Sequence, residues 1–248
     1  MKLKLVEKKD EALGTKTFFW EPEKPIYFIP GQFLYYTLPK LNYPDPRGAT
    51  RHFTISSSPT EGNLIGLTTR IREESGYKKT LDELPIGSLV EAEGPNGTFV
   101  LNDNDLGPHI FLAGGIGVTP FRSIIKYAID KKLKTGMTLI YSNSIPEEIT
   151  FRKEFEEWTK TYPNFKLFMT VTKPEESLPA QAGKEKWSGL TGRIDEKLLK
   201  SLNTKYNILN TNPTWWVCGP PPMVDAMELA LNKLQVLTGH IRSEKFTG

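Results

Sequence analysis

The sequence predicts two domains, an antiparallel β-barrel followed by an α/β domain with a parallel sheet. Before Asp103, short β-type runs are separated by Gly, Pro, Asn and Asp turns, and no long helical period occurs. After Leu106-Gly107-Pro108, apolar strand runs alternate with helical periods, which is typical of parallel strands joined by helices. We therefore expect domains over residues 1–105 and 106–248.

The strand-like runs of the first domain are bounded by loop chemistry such as EPEKP, SPTEGN and GPNG. In chain order they are KLKLVEK, TKTFFWE, GQFLYYTL, RHFTISSS, NLIGLTTRIR, LVEAEG and GTFVL. Their number and spacing predict a barrel or sandwich of about six strands.

In the second domain, four apolar runs predict strands and four periodic segments predict helices. The predicted strands are His109–Ala113, Met137–Ser142, Phe165–Thr172 and Thr214–Cys218. The predicted helices are Thr119–Asp130, Thr150–Lys160, Asp195–Ser201 and Pro222–Leu234. Ligands of such sheets bind at the carboxyl ends of the strands.

The first of these strands runs into a glycine-rich turn, FLAGGIGVTPFR. Gly114, Gly115 and Gly117 remove the Cβ atoms that would keep an anion away from backbone N–H groups. Thr119 is a good N-cap and Pro120 a good first helical residue, so the positive end of the following helix would face a pyrophosphate. Because the usual third glycine and later acidic residue are missing, a tight turn without a ligand remains an alternative.

Composition limits the classes of function. The 32 Lys and Arg residues exceed the 29 Asp and Glu residues too slightly for a nucleic-acid-binding protein. A single cysteine, Cys218, excludes internal disulfides, a cysteine-ligated iron–sulfur cluster and a cysteine-based zinc site. The three histidines lack metal-ligand spacing, so no metal site is predicted. Redox chemistry would therefore need a bound organic cofactor.

The N-terminal segment MKLKLVEKK alternates apolar and charged residues, which predicts a first strand rather than a signal peptide. No run approaches the roughly 18 apolar residues of a membrane span. We therefore expect a cytoplasmic protein.

A polar and aromatic motif, Arg51-His52-Phe53-Thr54, begins a predicted strand. Strand alternation places Arg51 and Phe53 on one face, where a guanidinium could hold a phosphate and a ring could lie against a planar ligand. Thr54 adds a hydroxyl. His52 points to the other face. The alternative is a strand with one exposed Arg and one core Phe.

A second segment, Arg70 to Leu81, joins a strand carrying two arginines to a Ser/Gly turn and a short helix, TLDEL. The helix N-terminus could receive an anion. A solvated basic hairpin edge is an equally good interpretation.

The fourth strand of the second domain ends in Cys218-Gly219-Pro220-Pro221-Pro222-Met223. This loop and the glycine turn should emerge at the same edge of the sheet. Cys218 would face that crevice with a rigid loop behind it. An inert buried cysteine is the alternative.

The Arg51-His52-Phe53-Thr54 motif, the glycine turn and the Cys218 loop occur in this order in one chain. Together they resemble the ferredoxin-NADP reductase superfamily. The GPNGTF turn and Glu244-Lys245-Phe246 extend the resemblance over nearly the whole chain. It implies a flavin-binding barrel followed by a Rossmann-like NAD(P)-binding domain.

The resemblance implies that Arg51 holds the flavin pyrophosphate, that Phe53 stacks on the isoalloxazine, where the family usually has Tyr, and that Thr54 hydrogen-bonds near N5. The segment that caps the flavin phosphates matches loosely. The further flavin-site candidates are His52, Thr69, Arg70, Ser75, Lys79 and Thr80.

The resemblance implies three catalytic residues, Thr54 near the flavin N5 in the first domain and, in the second domain, Cys218 beside the nicotinamide and Glu244 closing the hydride-transfer site. The candidate NAD(P)-site residues are Gly114, Gly115, Gly117, Thr119, Pro120, Ser142, Asn143, Cys218, Gly219, Pro220, Met223 and Phe246. Tyr141 to Ser144, with Arg152, would set the choice between NADPH and NADH. No acidic residue ends that strand, which favours NADPH weakly.

The implied function is hydride transfer from NAD(P)H to FAD, with electrons leaving to a separate acceptor such as ferredoxin or flavodoxin. FAD is favoured over FMN as the bound flavin. An electron-transfer subunit of a multicomponent complex and a non-catalytic flavin- or nucleotide-binding module are the alternatives. Neither nucleic acid nor a membrane is an expected partner.

Overall fold

The computed structural model describes residues 1–105, 107–177, 187–208 and 212–247. Backbone packing divides the chain into two compact units. The first contains residues 1–102 and 119–131, and the second contains residues 103–118 and 132–248. The predicted boundary between residues 105 and 106 adjoins Leu106, which lies outside the described residues, and this boundary remains a prediction.

The first unit is built on a six-stranded antiparallel sheet with the order β4-β3-β6-β1-β2-β5. Its strands are β1 Lys2–Ala12, β2 Thr15–Pro22, β3 Phe33–Thr37, β4 Thr50–Thr54, β5 Ile65–Arg70 and β6 Leu89–Asn96. A bridge between Ile55 and Leu67 brings the two edges of the sheet together and closes the barrel. Buried side chains such as Phe18, Trp20 and Tyr36 fill its interior. The predicted antiparallel barrel is confirmed.

The predicted seventh run, residues 97–101, forms no strand. Gly97 has a φ of +105°, which turns the chain away from a ladder. Phe99 is buried against Phe121, with ring centroids 5.8 Å apart. The segment is therefore apolar because it packs on a helix. An apolar sequence of this length is equally compatible with a strand, so the sequence alone does not distinguish the two structures.

Two helices pack in the first unit, α1 over Gly76–Glu83 and α2 over Thr119–Asp130. The helix predicted at TLDEL begins earlier, at Gly76, because Ser75 caps it and accepts a hydrogen bond from the Lys78 amide. Helix α2 is anchored to the barrel by Ser123, whose Oγ donates to the Ser57 carbonyl at 2.7 Å.

The second unit contains a six-stranded parallel sheet with the order β10-β9-β8-β7-β11-β12. Its strands are β7 His109–Gly114, β8 Met137–Asn143, β9 Phe165–Val171, β10 Leu190–Thr191, β11 Thr214–Gly219 and β12 Ile241–Lys245. Its helices are α3 Arg152–Thr161, α4 Glu196–Tyr206 and α5 Pro221–Lys233. The predicted parallel α/β domain is confirmed, with β10 and β12 in addition.

The two additional strands have little strand signal of their own. Strand β10 has two residues, and β12 has the polar sequence IRSEK. Both are edge strands, where one side of the backbone needs no partner and charged side chains are common.

No described helix is long and apolar enough to cross a bilayer.

Candidate cofactor sites

Strand β4 presents Arg51 and Phe53 of the predicted flavin motif on one face and ends at Thr54. Arg51 and Thr54 are buried, and Phe53 is partly buried. The Phe53 ring lies 6.0 Å from that of Tyr36 and 5.9 Å from that of Tyr77. Arg51 and Phe53 therefore bring a cation to an aromatic cluster.

His52 does not join this group. Its ring packs on the other face of β4, with centroids 5.2 Å from Phe33 and 5.7 Å from Tyr35. Burial, with a smaller contribution from Arg47, lowers the pKa of His52, so the ring is neutral at pH 7. Consecutive strand residues face opposite sides, so the placement of His52 gives no support to it as a flavin ligand.

The Arg51 guanidinium is engaged inside the protein. Its Nη1 donates to the carbonyls of Arg47, Gly48 and Thr50 at 2.6, 3.0 and 2.7 Å. Its Nη2 forms an ion pair with Asp45, whose side chain is 4% exposed. Burial would raise the pKa of Asp45, but hydrogen bonds from the Tyr77 and Arg47 amides and the Arg51 charge outweigh it and lower the pKa.

The predicted phosphate-capping residues also have partners within the protein. Thr80 is buried, accepts from the Asn42 amide at 2.9 Å and donates to the Gly76 carbonyl at 2.8 Å. Ser75 caps α1. Lys79 Nζ lies 3.3 Å from Glu73 and 4.3 Å from the Tyr43 ring centroid. These three predictions remain untested, and the structure does not favour them.

Lys78 is the basic residue that motif matching missed. It is only 5% exposed, and among the described residues no oxygen accepts a hydrogen bond from its Nζ. Burial first, and then the nearby Arg72, Arg47 and Arg51 charges, lower its pKa to about 8, with Glu74 opposing. Lys78 and the arginines around it thus form a region of positive charge that would attract an anion.

Two threonines complete the surroundings of the flavin site. Thr54 and Thr69 are 5% and 2% exposed, and neither hydroxyl hydrogen-bonds within the described ranges. Arg70 is partly buried at the end of β5. Both hydroxyls are therefore accessible and available to a polar ligand, which fits the ring of a flavin.

In the second unit, β7 ends at Gly114 and a 3₁₀ turn over Gly115–Val118 leads directly into α2. Thr119 is therefore the first residue of α2, and its prediction as an N-cap is wrong. Thr119 and Pro120 are both buried. Because the 3₁₀ turn runs directly into α2, no separate capping residue stands between them.

The three glycines serve different purposes. A Cβ on Gly117 would lie 2.4 Å from the Cys218 carbonyl oxygen, and one on Gly114 would lie 2.1 Å from Met223 Sδ. Gly115 has a φ of +52° and faces open space. Thus Gly114 and Gly117 allow two protein segments to pack, and Gly115 leaves room for a ligand.

The glycine turn and the Cys218 loop lie at one edge of the sheet, as predicted. Strand β7 pairs with β8 on one side and β11 on the other, so the strand order reverses at β7. Crevices at such reversals are the binding sites of open α/β sheets. Pro220 and Met223 cover Gly114, and the Phe246 amide donates to the Gly219 carbonyl at 2.9 Å.

Cys218 and Glu244 are neighbours in register on β11 and β12. Burial, with help from Glu244, raises the pKa of the fully buried Cys218 thiol well above its usual value. Burial raises the pKa of Glu244 to about 7, and its Oε2 has no partner among the described residues. At neutral pH this pair carries at most a partial negative charge.

The end of β8 carries Ser142 and Asn143 beside the glycine turn, with Ser142 opposite Gly114 in register. Asn143 is 5% exposed, and neither its Oδ1 nor its Nδ2 has a hydrogen-bond partner in the described segments. An orphaned buried amide fits a polar ligand. Arg152 pairs with Glu156 at 2.7 Å and lies 5.3 Å from the Trp187 ring centroid.

Comparison with known proteins matches both units to domain families. Residues 2–101 match the oxidoreductase FAD-binding domain, and residues 111–228 match the oxidoreductase NAD-binding domain. The chain belongs to the ferredoxin-NADP reductase superfamily. These matches confirm FAD and NAD(P) as the predicted cofactors of the two domains. The individual site residues remain predictions.

Curated relatives of this superfamily member include two proteins that are longer than the chain. It is 27% identical over 239 residues to the glycine betaine monooxygenase reductase subunit of Chromohalobacter salexigens, covering 95% of the chain and 61% of that protein. It is 26% identical over 244 residues to the phenol hydroxylase P5 protein of Acinetobacter pittii, covering 98% of the chain and 64% of that protein.

A comparison with a solved structure confirms the fold of the chain. The ferredoxin-NADP+ reductase of Plasmodium falciparum has a TM-score of 0.77 and 18% identity, covering 99% of the chain and 95% of that protein.

Proposed function

We propose that the chain transfers a hydride from a nicotinamide dinucleotide to bound FAD and delivers electrons to a separate acceptor. One observation carries this proposal: a FAD-binding domain and an NAD-binding domain follow each other in one chain. Bound FAD would supply the redox chemistry, accepting two electrons from the nicotinamide and releasing them to the acceptor. The protein supplies binding, orientation and electrostatics.

In the first unit, the residues that support FAD binding differ in chemistry. Phe53 offers an aromatic face, and Thr54 and Thr69 offer hydroxyls that have no partners among the described residues. The cations around Lys78 offer positive charge for phosphates.

In the second unit, Gly115 leaves space beside the backbone at the strand-order reversal, and Asn143 offers an amide to the dinucleotide. Cys218 and Glu244 would flank the nicotinamide. Because the pKa of Glu244 is about 7, the nicotinamide ring would meet a carboxyl group that holds its proton for much of the time. A partly neutral environment accommodates a ring that becomes positively charged on hydride loss better than an arginine or lysine would.

The names of the two relatives, a monooxygenase reductase subunit and a phenol hydroxylase component, favour a protein acceptor within a multicomponent system. A free-standing reductase of ferredoxin or flavodoxin is the other candidate. A chain that works alone should reduce soluble dyes at full rate without its partner.

We further infer a preference for NADH, against the weak lean to NADPH from the sequence. Arg152, the first residue of α3, pairs with Glu156. Lys173, two residues after β9, pairs with Glu176 at 2.9 Å. Glu147 adds a carboxylate in the 3₁₀ turn Pro146–Glu148, which follows β8. A 2′-phosphate would have to compete for these cations, so we expect a higher kcat/KM for NADH, by about fivefold at most because exposed ion pairs contribute up to about 1 kcal/mol.

The test is an anaerobic absorbance titration of the FAD-loaded chain with NADH and then NADPH. Bleaching of the flavin band by either nucleotide would support hydride transfer, and the faster nucleotide identifies the donor. A chain that neither binds added FAD nor oxidises either nucleotide would refute the proposal.

A further inference from the structure

Helix α2 follows the glycine turn in the chain but packs on the barrel of the first unit. The turn Gly115–Val118 leads into Thr119 without a break, whereas residues 119–131 belong to the first unit by their packing. The free N–H groups at the start of this helix would face the pyrophosphate of a dinucleotide. The contacts between α2 and the barrel therefore fix the direction of these N–H groups.

A polar loop of the barrel, residues 56–61, receives the first half of α2. This serine loop begins shortly after Thr54 and so continues the strand that carries the flavin motif. Arg122 Nη1 donates to the Ser56 carbonyl at 3.1 Å, and Ser123 Oγ donates to the Ser57 carbonyl at 2.7 Å. The helix is thus joined to the segment next to the flavin motif.

An ion pair between Arg122 and Glu61 strengthens this contact. Arg122 Nη2 donates to Glu61 Oε1 at 2.9 Å, and Nη1 donates to Oε2. The Ser58 amide also donates to Glu61 Oε2, at 2.6 Å, so the loop itself holds the carboxylate. The two side chains are only 12% and 25% exposed. Two parallel N–H···O bonds fix direction as well as distance, so this pair defines one orientation of the helix.

The other contacts of α2 have different roles. Phe121 packs on Phe99, but apolar attraction has no preferred direction and does not by itself orient a helix. Thr60 Oγ1 donates to Asp130 at 2.6 Å and holds the far end of α2. Lys126 pairs with Asp130 inside the helix, also at 2.6 Å. The Arg122–Glu61 pair is therefore the charged contact that holds the first half of α2 on the serine loop.

We propose that Arg122, held by Glu61, is a positioning residue for hydride transfer. It acts through α2, whose first N–H groups it keeps in one orientation toward the dinucleotide. A displacement of about 1 Å in a reacting complex can lower a rate by about a hundredfold, so an orienting contact outside the site affects the rate. This assignment rests on the proposed hydride transfer.

The experiment is stopped-flow reduction of the FAD-loaded full-length chain over a range of concentrations of the faster nucleotide. Arg122→Met keeps an unbranched apolar stem and removes the guanidinium. We expect its limiting rate of flavin reduction to fall at least about tenfold, while its Kd for FAD stays parental. Lys126→Met, which removes a positive charge from the same helix, is the matched control and should be reduced at the parental rate.

A double-variant cycle separates positioning from a general loss of stability. Glu61→Gln removes the charge of the partner and should also lower the limiting rate, and it carries the test if Arg122→Met does not fold. Because the two residues act as one unit, the double variant should be no slower than the slower single variant. All rates are measured at a temperature where thermal melting shows every compared variant to be folded.

A parental limiting rate in a folded Arg122→Met or Glu61→Gln would overturn the proposal, since the pair would then only add stability. An equal fall in Lys126→Met, or single effects that multiply in the double variant, would overturn it as well. So would a folded Arg122→Met that has lost FAD, because Arg122 would then act on flavin binding. If the parent binds FAD and neither nucleotide reduces it, the proposed function fails instead.

Discussion

The two units prepare their cofactor sites by different physical means. Around Lys78 in the first unit, positive charges exceed negative ones, and a buried ion pair between Asp45 and Arg51 orders the surrounding loop. Around Cys218 in the second unit, the backbone packs closely at Gly117. The nearby Glu244 carboxyl group has a pKa of about 7, so this region carries little charge. We therefore expect the first site to select its ligand by charge and the second to select it mainly by shape.

The largest expected effect tests the role of charge in the first unit. Arg51→Met leaves the Asp45 carboxylate buried without its partner, which should cost about 3–5 kcal/mol of unfolding free energy in the apoprotein. Urea unfolding of Arg51→Met, Asp45→Asn and the double variant would measure the coupling. Lys16→Met, at the partly exposed Lys16–Asp82 pair, should cost less than about 1 kcal/mol. Equal losses at both pairs would contradict this account.

The next effect tests the weakly charged site of the second unit through pH. The folded-state pKa of Glu244, about 7, lies above its ordinary value of 4.5, so the folded state holds this proton more tightly. Its contribution to stability is present below pH 4.5 and is lost as pH rises to 7, by about 3 kcal/mol. Glu244→Gln should flatten this part of the stability profile, whereas Glu157→Gln should leave it unchanged. A parental profile in the first variant would refute the shift.

A smaller effect separates the glycines. Gly117→Ala forces a methyl group against the Cys218 carbonyl and should destabilise the unit by about 1–3 kcal/mol. Gly115→Ala places its methyl group in open space, so beyond the cost of about 1 kcal/mol for an alanine at positive φ it should chiefly raise the KM for the dinucleotide. Thermal unfolding and steady-state kinetics of the two variants check this division. The reverse pattern would show that Gly115 is the packing residue.

The smallest effect concerns Cys218. We expect Cys218→Ala to bind both cofactors and to reduce its flavin roughly tenfold more slowly, equivalent to about 1.4 kcal/mol. Stopped-flow reduction, with dinucleotide affinity measured separately, is the test. An unchanged rate would make Cys218 a core residue only.

The fold was predictable because its signals are local. The alternation of strands and helices after residue 107 and the short β-type runs before Asp103 were enough for both architectures. Strand β12 was missed because its five residues are polar and its pairing with β11 depends on tertiary structure.

The sites were only partly predictable. The glycine turn and the Cys218 loop lie at one sheet edge, as parallel strands require. The partner of Arg51 could not be predicted, because Asp45 lies in a proline-rich loop whose path is fixed by contacts with α1. Lys78 resembles any surface lysine in sequence, and only its burial distinguishes it.

The half-titrated state of Glu244 has a consequence for calorimetry. A dinucleotide that covers this carboxyl group would raise its pKa further, so binding near pH 7 would draw up to about half a proton from the buffer. The observed binding enthalpy would then vary with the ionisation enthalpy of the buffer. Affinities compared between laboratories would agree only at matched pH.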